Sequence, residues 1–352
     1  MSITLFPKDE NKGYGMKKDT LVSIQNVVKH FDISGGLLEQ IRFKNNKFVR
    51  EQSVVHALNG VSLDIGRGKT VSVVGESGCG KSTLARCVIR LYEPNGGQII
   101  YDGKRIDNLS HKHMAPYRTR MQMVFQDPYS SLNPRMSVAQ ILEEPIRFHN
   151  RSYTAGDVTD KVAEVMQQVG IDPLWRKRFP HEFSGGQRQR IAIARALAVD
   201  PEFIVADEPI AALDVSIQAQ VLNLLMDLQQ ERGLTYMFIS HDLSVVEHIS
   251  NEVAVMYLGT LCEFAETENL YSNPRHPYTR ALLSAIPQFG QKGFQHLRLQ
   301  GDVPTPIDLP SGCVFHGRCP YADKRCRTEM PIIRRLDCGS QVACHGVEEG
   351  RI

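Results

Sequence analysis

The chain has 352 residues and a formal net charge of +2, and 42% of its residues are hydrophobic. This length allows one large domain plus a smaller one, and the near-neutral charge indicates neither a nucleic-acid partner nor a strongly acidic one. No run of 18 apolar residues is present, so no membrane-spanning helix is predicted. The polar segment 1–20 lacks the apolar core of a signal peptide and is predicted to be a flexible tail.

The first motif is a glycine-rich loop, G-x-x-x-x-G-K-S, that follows the β-branched run 70–74. The run predicts a buried strand, and the glycines let the loop turn tightly with its N–H groups aimed inward. The segment after the loop predicts a helix, whose N-terminus favours anions. In this motif the lysine reaches the phosphates and the serine binds Mg²⁺. We therefore predict that a nucleoside triphosphate binds Gly75, Glu76, Ser77, Gly78, Cys79, Gly80, Lys81, Ser82 and Thr83.

A second apolar run, residues 203–206, ends in Asp207-Glu208-Pro209. Carboxylates at the end of a parallel strand lie beside the phosphate loop in such folds. Phosphoryl transfer depends mainly on positioning and charge neutralisation. We therefore expect Asp207 to hold Mg²⁺, directly or through water, and Glu208 to polarise the attacking water. The alternative is that both are ordinary loop acids.

The third motif is Ser184-Gly185-Gly186-Gln187, which opens a predicted helix about a hundred residues after the phosphate loop. Together with the two motifs above, and in this order, it resembles the ATP-binding cassette (ABC) family. The resemblance implies an α/β fold: a RecA-like P-loop ATPase core, an antiparallel β subdomain and a helical subdomain at about 127–200. It also implies an ATP-driven motor.

The resemblance assigns further residues to the ATP site. Gln126 matches the family's glutamine loop, whose amide touches Mg²⁺ and the attacking water. His241, in Ser-His-Asp after a third apolar strand, matches the histidine that contacts the γ-phosphate. Phe31 lies where the family stacks an aromatic ring on adenine, although a core position fits it as well. Ala211 departs from the usual serine, which removes one hydroxyl near the dimer contact.

The resemblance also implies a dimer. In the family, two subunits pair head to tail, and ATP lies between the phosphate loop of one and the Ser-Gly-Gly-Gln helix start of the other. ATP then holds the two together, and hydrolysis releases them. The implied partner is a sister ATPase of similar sequence, which gives a heterodimer. The residues that would contact the partner's ATP are Ser184, Gly185, Gly186 and Gln187.

The segment Asn-Pro-Arg-His-Pro-Tyr-Thr at 273–279 is similar to the ATPases of dipeptide, oligopeptide and nickel importers. This implies a peripheral subunit on the cytoplasmic face of the cell membrane, with two transmembrane permease subunits and a substrate-binding protein as partners. Dipeptides are the expected cargo; oligopeptides, haem, nickel and glutathione stay open. A soluble ABC ATPase of DNA repair or ribosome handling is the alternative class, but such proteins usually carry two cassettes or long insertions.

Five of the eight cysteines lie beyond residue 312. Disulfides are not expected beside a cytosolic ATPase, and the spacing is not that of a zinc ribbon. Cys338 has no place in the family pattern, and the helix start at Cys79 favours a lowered thiol pKa. By resemblance, a [4Fe–4S] cluster is expected in the tail, with zinc or free reduced thiols as alternatives. Its ligands would be Cys313, Cys319, Cys326 and Cys344.

These observations predict three segments: the tail 1–20, an ABC ATPase domain 21–270 and a Cys-rich C-terminal extension 271–346. Within them, the basic stretch 32–54 is predicted to be a hairpin insertion, either solvated or in contact with lipid headgroups or a partner. Residues 288–296 are predicted to be a linker.

Overall fold

The computed structural model describes residues 19–34, 41–44, 47–50, 53–286, 299 and 301–352. Most of the predicted tail and all of the predicted linker at 288–296 lie outside the described residues. The fold contains fourteen described strands, numbered in chain order: β1 (Thr20–Asp32), β2 (Ile41–Lys44), β3 (Lys47–Arg50), β4 (Val54–Gly66), β5 (Thr70–Val74), β6 (Gly96–Tyr101), β7 (Lys104–Arg105), β8 (Met121–Val124), β9 (Phe203–Asp207), β10 (Thr235–Ile239), β11 (Glu252–Tyr257), β12 (Thr260–Glu266), β13 (Arg334–Arg335) and β14 (Gln341–Val342).

The described part also contains twelve α-helices and two short 3₁₀ helices, at Pro173–Lys177 and Pro180–Glu182. None of these helices is long and apolar enough to cross a membrane. The α-helices are α1 (Lys81–Val88), α2 (His111–Arg120), α3 (Pro128–Ser131), α4 (Val138–His149), α5 (Ala155–Gln168), α6 (Gly185–Leu197), α7 (Val215–Arg232), α8 (Leu243–Ile249), α9 (Thr267–Ser272), α10 (Pro277–Leu283), α11 (Lys324–Thr328) and α12 (His345–Glu348).

The central sheet has the order β13-β14-β12-β11-β5-β10-β9-β8. Its five strands from β11 to β8 run parallel. Every residue of β5, β9 and β10 is buried, as expected for strands covered by other layers on both faces. Because the strands run parallel, their carboxyl ends meet at one edge of the sheet, where the motifs begin.

A second, antiparallel sheet has the order β4-β1-β6-β7. Its apolar face joins the core between the two sheets, where Leu21, Val61 and Ile99 pack with Val71 and Leu84. The predicted hairpin insertion is also present, because β2 pairs with β3 antiparallel as a separate ribbon.

Between β8 and β9 the chain is helical, as the sequence predicts. Serine or threonine caps with a partner three residues later fix the starts of α4, α5 and α6, since each pair satisfies N–H groups that the first turn leaves free. Apolar residues from α4, α5, α6 and α7 share one core with the central sheet.

The C-terminal extension adds to the edge of the central sheet. β14 pairs with β12, and β13 pairs with β14. A third core then forms, in which Tyr257 of β11 packs against Tyr278 of α10 and against Phe315. The extension thus contacts β12 and β11, and β11 pairs with β5, the strand that precedes the phosphate loop.

Candidate active site

The predicted catalytic segments gather at the carboxyl edge of the parallel strands. The phosphate loop follows β5, Gln126 follows β8, Glu208 follows β9 and His241 follows β10. The Glu208 amide also donates to the Ile239 carbonyl at 3.0 Å, which fixes the β9 end beside the β10 end. This is the edge at which open α/β sheets bind ligands.

The backbone of the phosphate loop requires glycine at its two ends. Gly75 has φ +148°, and a Cβ there would lie 2.2 Å from the Met256 carbonyl oxygen. Gly80 has φ +103°, and a Cβ there would lie 2.4 Å from the Ala57 carbonyl oxygen. The loop is therefore held between the two sheets, at a distance that only glycine permits.

Lys81, the first residue of α1, is buried with its ammonium inside the loop. Its Nζ donates to the Gly75 carbonyl at 2.8 Å and to the Glu76 carbonyl at 3.1 Å. A positive charge and the start of a helix thus coincide, which is the arrangement that binds phosphate. The loop thiol behaves contrary to expectation: burial raises the pKa of Cys79, which outweighs the lowering effect of nearby Lys81.

Ser82 and Asp207 are adjacent. The Ser82 hydroxyl donates to the Asp207 carboxylate at 2.8 Å. Burial raises the pKa of Asp207, while this hydrogen bond and the charges of Arg86 and Lys81 act against that rise. A hydroxyl beside a carboxylate is a set of hard oxygen donors that suits Mg²⁺, which normally keeps few protein ligands in nucleotide sites.

Glu208 lies at the centre of the predicted catalytic group. Gln126 Nε2 donates to its carboxylate at 2.9 Å, and His241 Nδ1 lies 3.5 Å from the same oxygen. The Glu208 backbone has φ +48°, a left-handed conformation that is rare outside glycine and typical of functional sites. The structure thus brings together three residues that lie more than 30 positions apart in the sequence.

The Ser184-Gly185-Gly186-Gln187 motif forms the start of α6. The Ser184 hydroxyl accepts from the Gln187 amide at 3.3 Å, and the Ser184 amide donates to the Gln187 side chain at 3.0 Å. Ser184 and Gly185 are exposed. A Cβ on Gly186 would lie 2.3 Å from Ile217 of α7. Both hydrogen bonds join residues of the motif itself.

Phe31, at the end of β1, is half-buried. Its ring meets Tyr92 edge to face at a centroid distance of 5.4 Å, and Lys29 Nζ lies 4.9 Å from the ring centre. The ring therefore contacts side chains of the antiparallel sheet and of the segment after α1.

Two residues of the C-terminal extension contact the phosphate loop, and the sequence analysis did not predict them. The Arg318 guanidinium pairs with the Glu76 carboxylate. The Tyr278 hydroxyl accepts from the Glu76 amide at 2.9 Å. The one available signal was Glu76 itself, because an acid is unexpected in a loop that binds phosphate.

The four predicted ligand cysteines are neighbours. The Cys313 amide donates to the Cys326 carbonyl at 2.8 Å, and none of the eight cysteines forms a disulfide. Burial, with the charges of the other three thiols, raises the pKa of Cys313 to about 12. Burial, with Cys344 and Cys326, raises the pKa of Cys319 to about 11.

These thiols do not stand in coordinating positions. Among the residues that the structure describes, no three His, Cys, Asp or Glu side chains are arranged to hold a metal ion. The donor set nevertheless suits a soft metal or a cluster, since four neighbouring thiols, one buried and three partly buried, would ionise together only with a cation to hold them.

Comparison with known proteins agrees with this geometry. The family model described as "ABC transporter" matches residues 58–211, and the model described as "Oligopeptide/dipeptide transporter, C-terminal region" matches residues 262–326. The oligopeptide transport ATP-binding protein AppF of Bacillus subtilis is 49% identical over 332 residues, covering 93% of this chain and 98% of the relative. The di/tripeptide transport ATP-binding protein DppF of Pseudomonas aeruginosa is 48% identical, covering 94% and 99%.

Solved structures show the same fold. The dimeric ATP-binding cassette MJ0796, bound to ADP and Pi in a post-hydrolysis state, has a TM-score of 0.60 at 27% identity and covers 70% of this chain and 99% of its own. The cbiO1 protein of Clostridium perfringens, part of the transporter complex cbiONQ, has a TM-score of 0.61 at 26% identity, with coverage of 73% and 92%.

The fold and the phosphate loop define a P-loop ATPase of the ABC type. The chain belongs to the ATP-binding subunits of ABC transporters, in the oligopeptide/dipeptide family. The resemblance inferred from the motifs is therefore confirmed, and ATP and Mg²⁺ are the cofactors of the family's reaction.

Proposed function

We propose that this subunit couples ATP hydrolysis to the uptake of dipeptides across the cytoplasmic membrane. The cargo assignment is supported by nearly full-length likeness to relatives named for oligopeptide and di/tripeptide transport. The C-terminal family match supports it independently of the ATPase core. Oligopeptides, haem, nickel and glutathione are the cargoes that a transport assay must separate from dipeptides.

The observation that carries the catalytic proposal is the hydrogen-bonded group around Glu208. Glu208 orients and polarises the attacking water, and Gln126 holds that carboxylate in place. His241 contacts the γ-phosphate side of the site. Lys81 and the loop amides hold the phosphates, while Ser82, Asp207 and Gln126 would be the Mg²⁺ ligands. Mg²⁺, when bound, neutralises charge on the phosphates.

We propose that Phe31 supplies the adenine contact. It is a half-buried ring that contacts Tyr92 and Lys29 rather than a member of the buried core. An aromatic ring needs little more than position to stack on a base.

The functional unit proposed is a head-to-tail heterodimer with a sister ATPase. The exposed start of α6 supports this, because Ser184 and Gly185 are exposed and the capping hydrogen bonds of Ser184 stay within the motif. A helix N-terminus of this kind favours a partner's phosphate. Two transmembrane permease subunits, a substrate-binding protein and a position on the cytoplasmic face of the membrane complete the proposed assembly.

We propose that Cys313, Cys319, Cys326 and Cys344 hold a [4Fe–4S] cluster, with zinc as the alternative. Burial raises the pKa of Cys313 and Cys319, and the nearby Cys326 and Cys344 add to that rise, which supports a common ligand. Four soft thiols suit either metal. Since the hydrolytic residues all lie before residue 242, the cluster would have a structural role. It would lie in the proposed extension 271–346, outside the ATPase domain 21–270, whose helical part is 127–200.

The test of this function is reconstitution of the whole transporter in lipid vesicles with its binding protein. We expect ATPase activity and uptake to rise together with dipeptides and not with nickel, haem or glutathione. Stimulation by longer peptides alone would replace the dipeptide assignment, and ATPase activity without uptake of any peptide would contradict the importer proposal.

A further inference from the structure

The phosphate loop carries a carboxylate in a place where physical chemistry disfavours one. Glu76 is the second residue of the loop, and its side chain is 27% exposed. The polyphosphate that such loops bind is strongly anionic, and like charges at close range repel. An unpaired carboxylate at this position would therefore weaken nucleotide binding.

Arg318 neutralises that carboxylate from the C-terminal extension. Its two terminal nitrogens lie 2.6 and 3.1 Å from the two Glu76 oxygens, a bidentate pair. The Arg318 side chain is only 10% exposed, so solvent screens the pair weakly. One of its nitrogens also donates to the Tyr257 hydroxyl at 3.4 Å, which fixes the planar group in this direction.

The same part of the extension holds the loop backbone. The Tyr278 hydroxyl accepts from the Glu76 amide, and the Tyr278 ring packs on Tyr257 at a centroid distance of 4.8 Å. The side chain and the main chain of Glu76 are thus both engaged by residues outside the ATPase motifs. The loop is oriented by a segment more than 200 positions away in the chain.

We propose that Arg318 is a positioning residue for ATP binding, which acts by neutralising Glu76 and holding its carboxylate on the extension. This inference rests on the phosphate-binding site proposed above. It makes the extension a determinant of nucleotide affinity as well as a structural addition. Because Arg318 immediately precedes Cys319, damage to the cysteine segment would reach the ATP site through this contact.

The ATP affinity of a double variant distinguishes charge neutralisation from a purely structural anchoring role. If Arg318 acts by charge neutralisation, Arg318→Gln weakens binding because Glu76 is left unpaired, and a second change, Glu76→Gln, restores it. If Arg318 only anchors the extension, removal of Glu76 breaks the same anchor, so Glu76→Gln alone and the double variant both bind as poorly as Arg318→Gln.

The experiment is titration of the full-length chain with a fluorescent ATP analogue and Mg²⁺. We expect Arg318→Gln to bind about tenfold more weakly than the parent, and the double variant to return to within about threefold. The loss of affinity in Arg318→Gln should be smaller at high salt, because salt screens the repulsion between Glu76 and the nucleotide phosphates. Arg334→Gln is the control: this exposed extension residue pairs with Glu348 and should change affinity by no more than about twofold.

Unchanged affinity in Arg318→Gln, or no recovery in the double variant, overturns the inference. If Arg318→Gln does not fold, Arg318→Lys keeps the charge and should remain within about threefold of the parent, and the double variant is judged on its own affinity. If the phosphate loop did not bind ATP, the parent would bind the analogue no better than Lys81→Ala. That result distinguishes failure of the phosphate site from failure of the Arg318 inference.

Discussion

The Gln126 side chain and the Glu208 carboxylate are joined by a 2.9 Å hydrogen bond across the edge of the central sheet. Gln126 is exposed and lies in the connection from β8 to the helical region, whereas Glu208 immediately follows the buried strand β9. The proposed catalytic carboxylate is thus linked to the segment that leads into the helical region. Movement of that region would change the environment of Glu208 directly.

Glu208→Gln should abolish turnover while ATP binding is retained. The amide keeps the shape of the side chain but cannot act as a base, so we expect a loss of at least about 100-fold in ATP hydrolysis. Steady-state ATPase assays of the assembled transporter, with nucleotide titration alongside, measure the two effects. Hydrolysis near the parent rate would exclude Glu208 as the catalytic carboxylate.

Lys81→Ala should weaken nucleotide binding by about tenfold or more, because it removes a buried charge-assisted contact to phosphate. Transport should be lost with it. Lys69→Ala is a control outside the loop motif. Equal affinity for ATP in the Lys81 variant and the parent, with uptake intact, would contradict the phosphate-loop assignment.

The proposed catalytic residues could be selected from the sequence because each belongs to a short motif at the end of an apolar strand. Parallel strand ends then meet at one edge whatever the intervening sequence. The contact of Arg318 with Glu76 could not be predicted in this way, since it spans 242 positions and depends on how the extension packs. For the same reason, Ile217 lying over Gly186 had no local signal.

For the cysteine site, the sequence selected the residues but did not identify what they bind. The family pattern selected four of the five tail cysteines, and the structure places those four near one another. Sequence alone left metal and free thiols open, and among the described residues the structure shows no three His, Cys, Asp or Glu side chains arranged to hold a metal ion. A lowered pKa at Cys79 is not what the structure gives, because burial raises the pKa of this thiol more than nearby Lys81 lowers it.

His276 should make the protein less stable in mild acid. It is fully buried, its ring accepts from the Tyr278 amide at 3.0 Å, and burial lowers its pKa to about 3. As pH falls below about 6.5, the unfolded chain takes up a proton that the folded chain does not. The stabilisation is therefore complete above that pH and is lost progressively towards pH 3.

His276→Asn keeps a residue that caps helices well and removes the titration. From about pH 7.5 to pH 5.5, the parent should lose about 1.4 kcal/mol more of its unfolding free energy than this variant. Denaturant unfolding at the two pH values measures the difference, with exposed His248→Asn as the control. Parallel pH profiles in parent and His276→Asn would show that this histidine does not titrate on unfolding.

The final prediction concerns the four tail thiols. Protein purified without oxygen should be brown and contain about four irons per chain, the number in a four-thiolate cubane cluster. Cys319→Ser or Cys344→Ser should remove the iron, because each deletes a ligand, whereas Cys338→Ser should not: Cys338 is exposed and bonds to Ser340 instead. Elemental analysis with visible absorption is the measurement, and proteolysis of residues 300–345 should become easier when iron is lost. Stoichiometric zinc, or no metal at all in anaerobic protein, would overturn the iron–sulfur assignment.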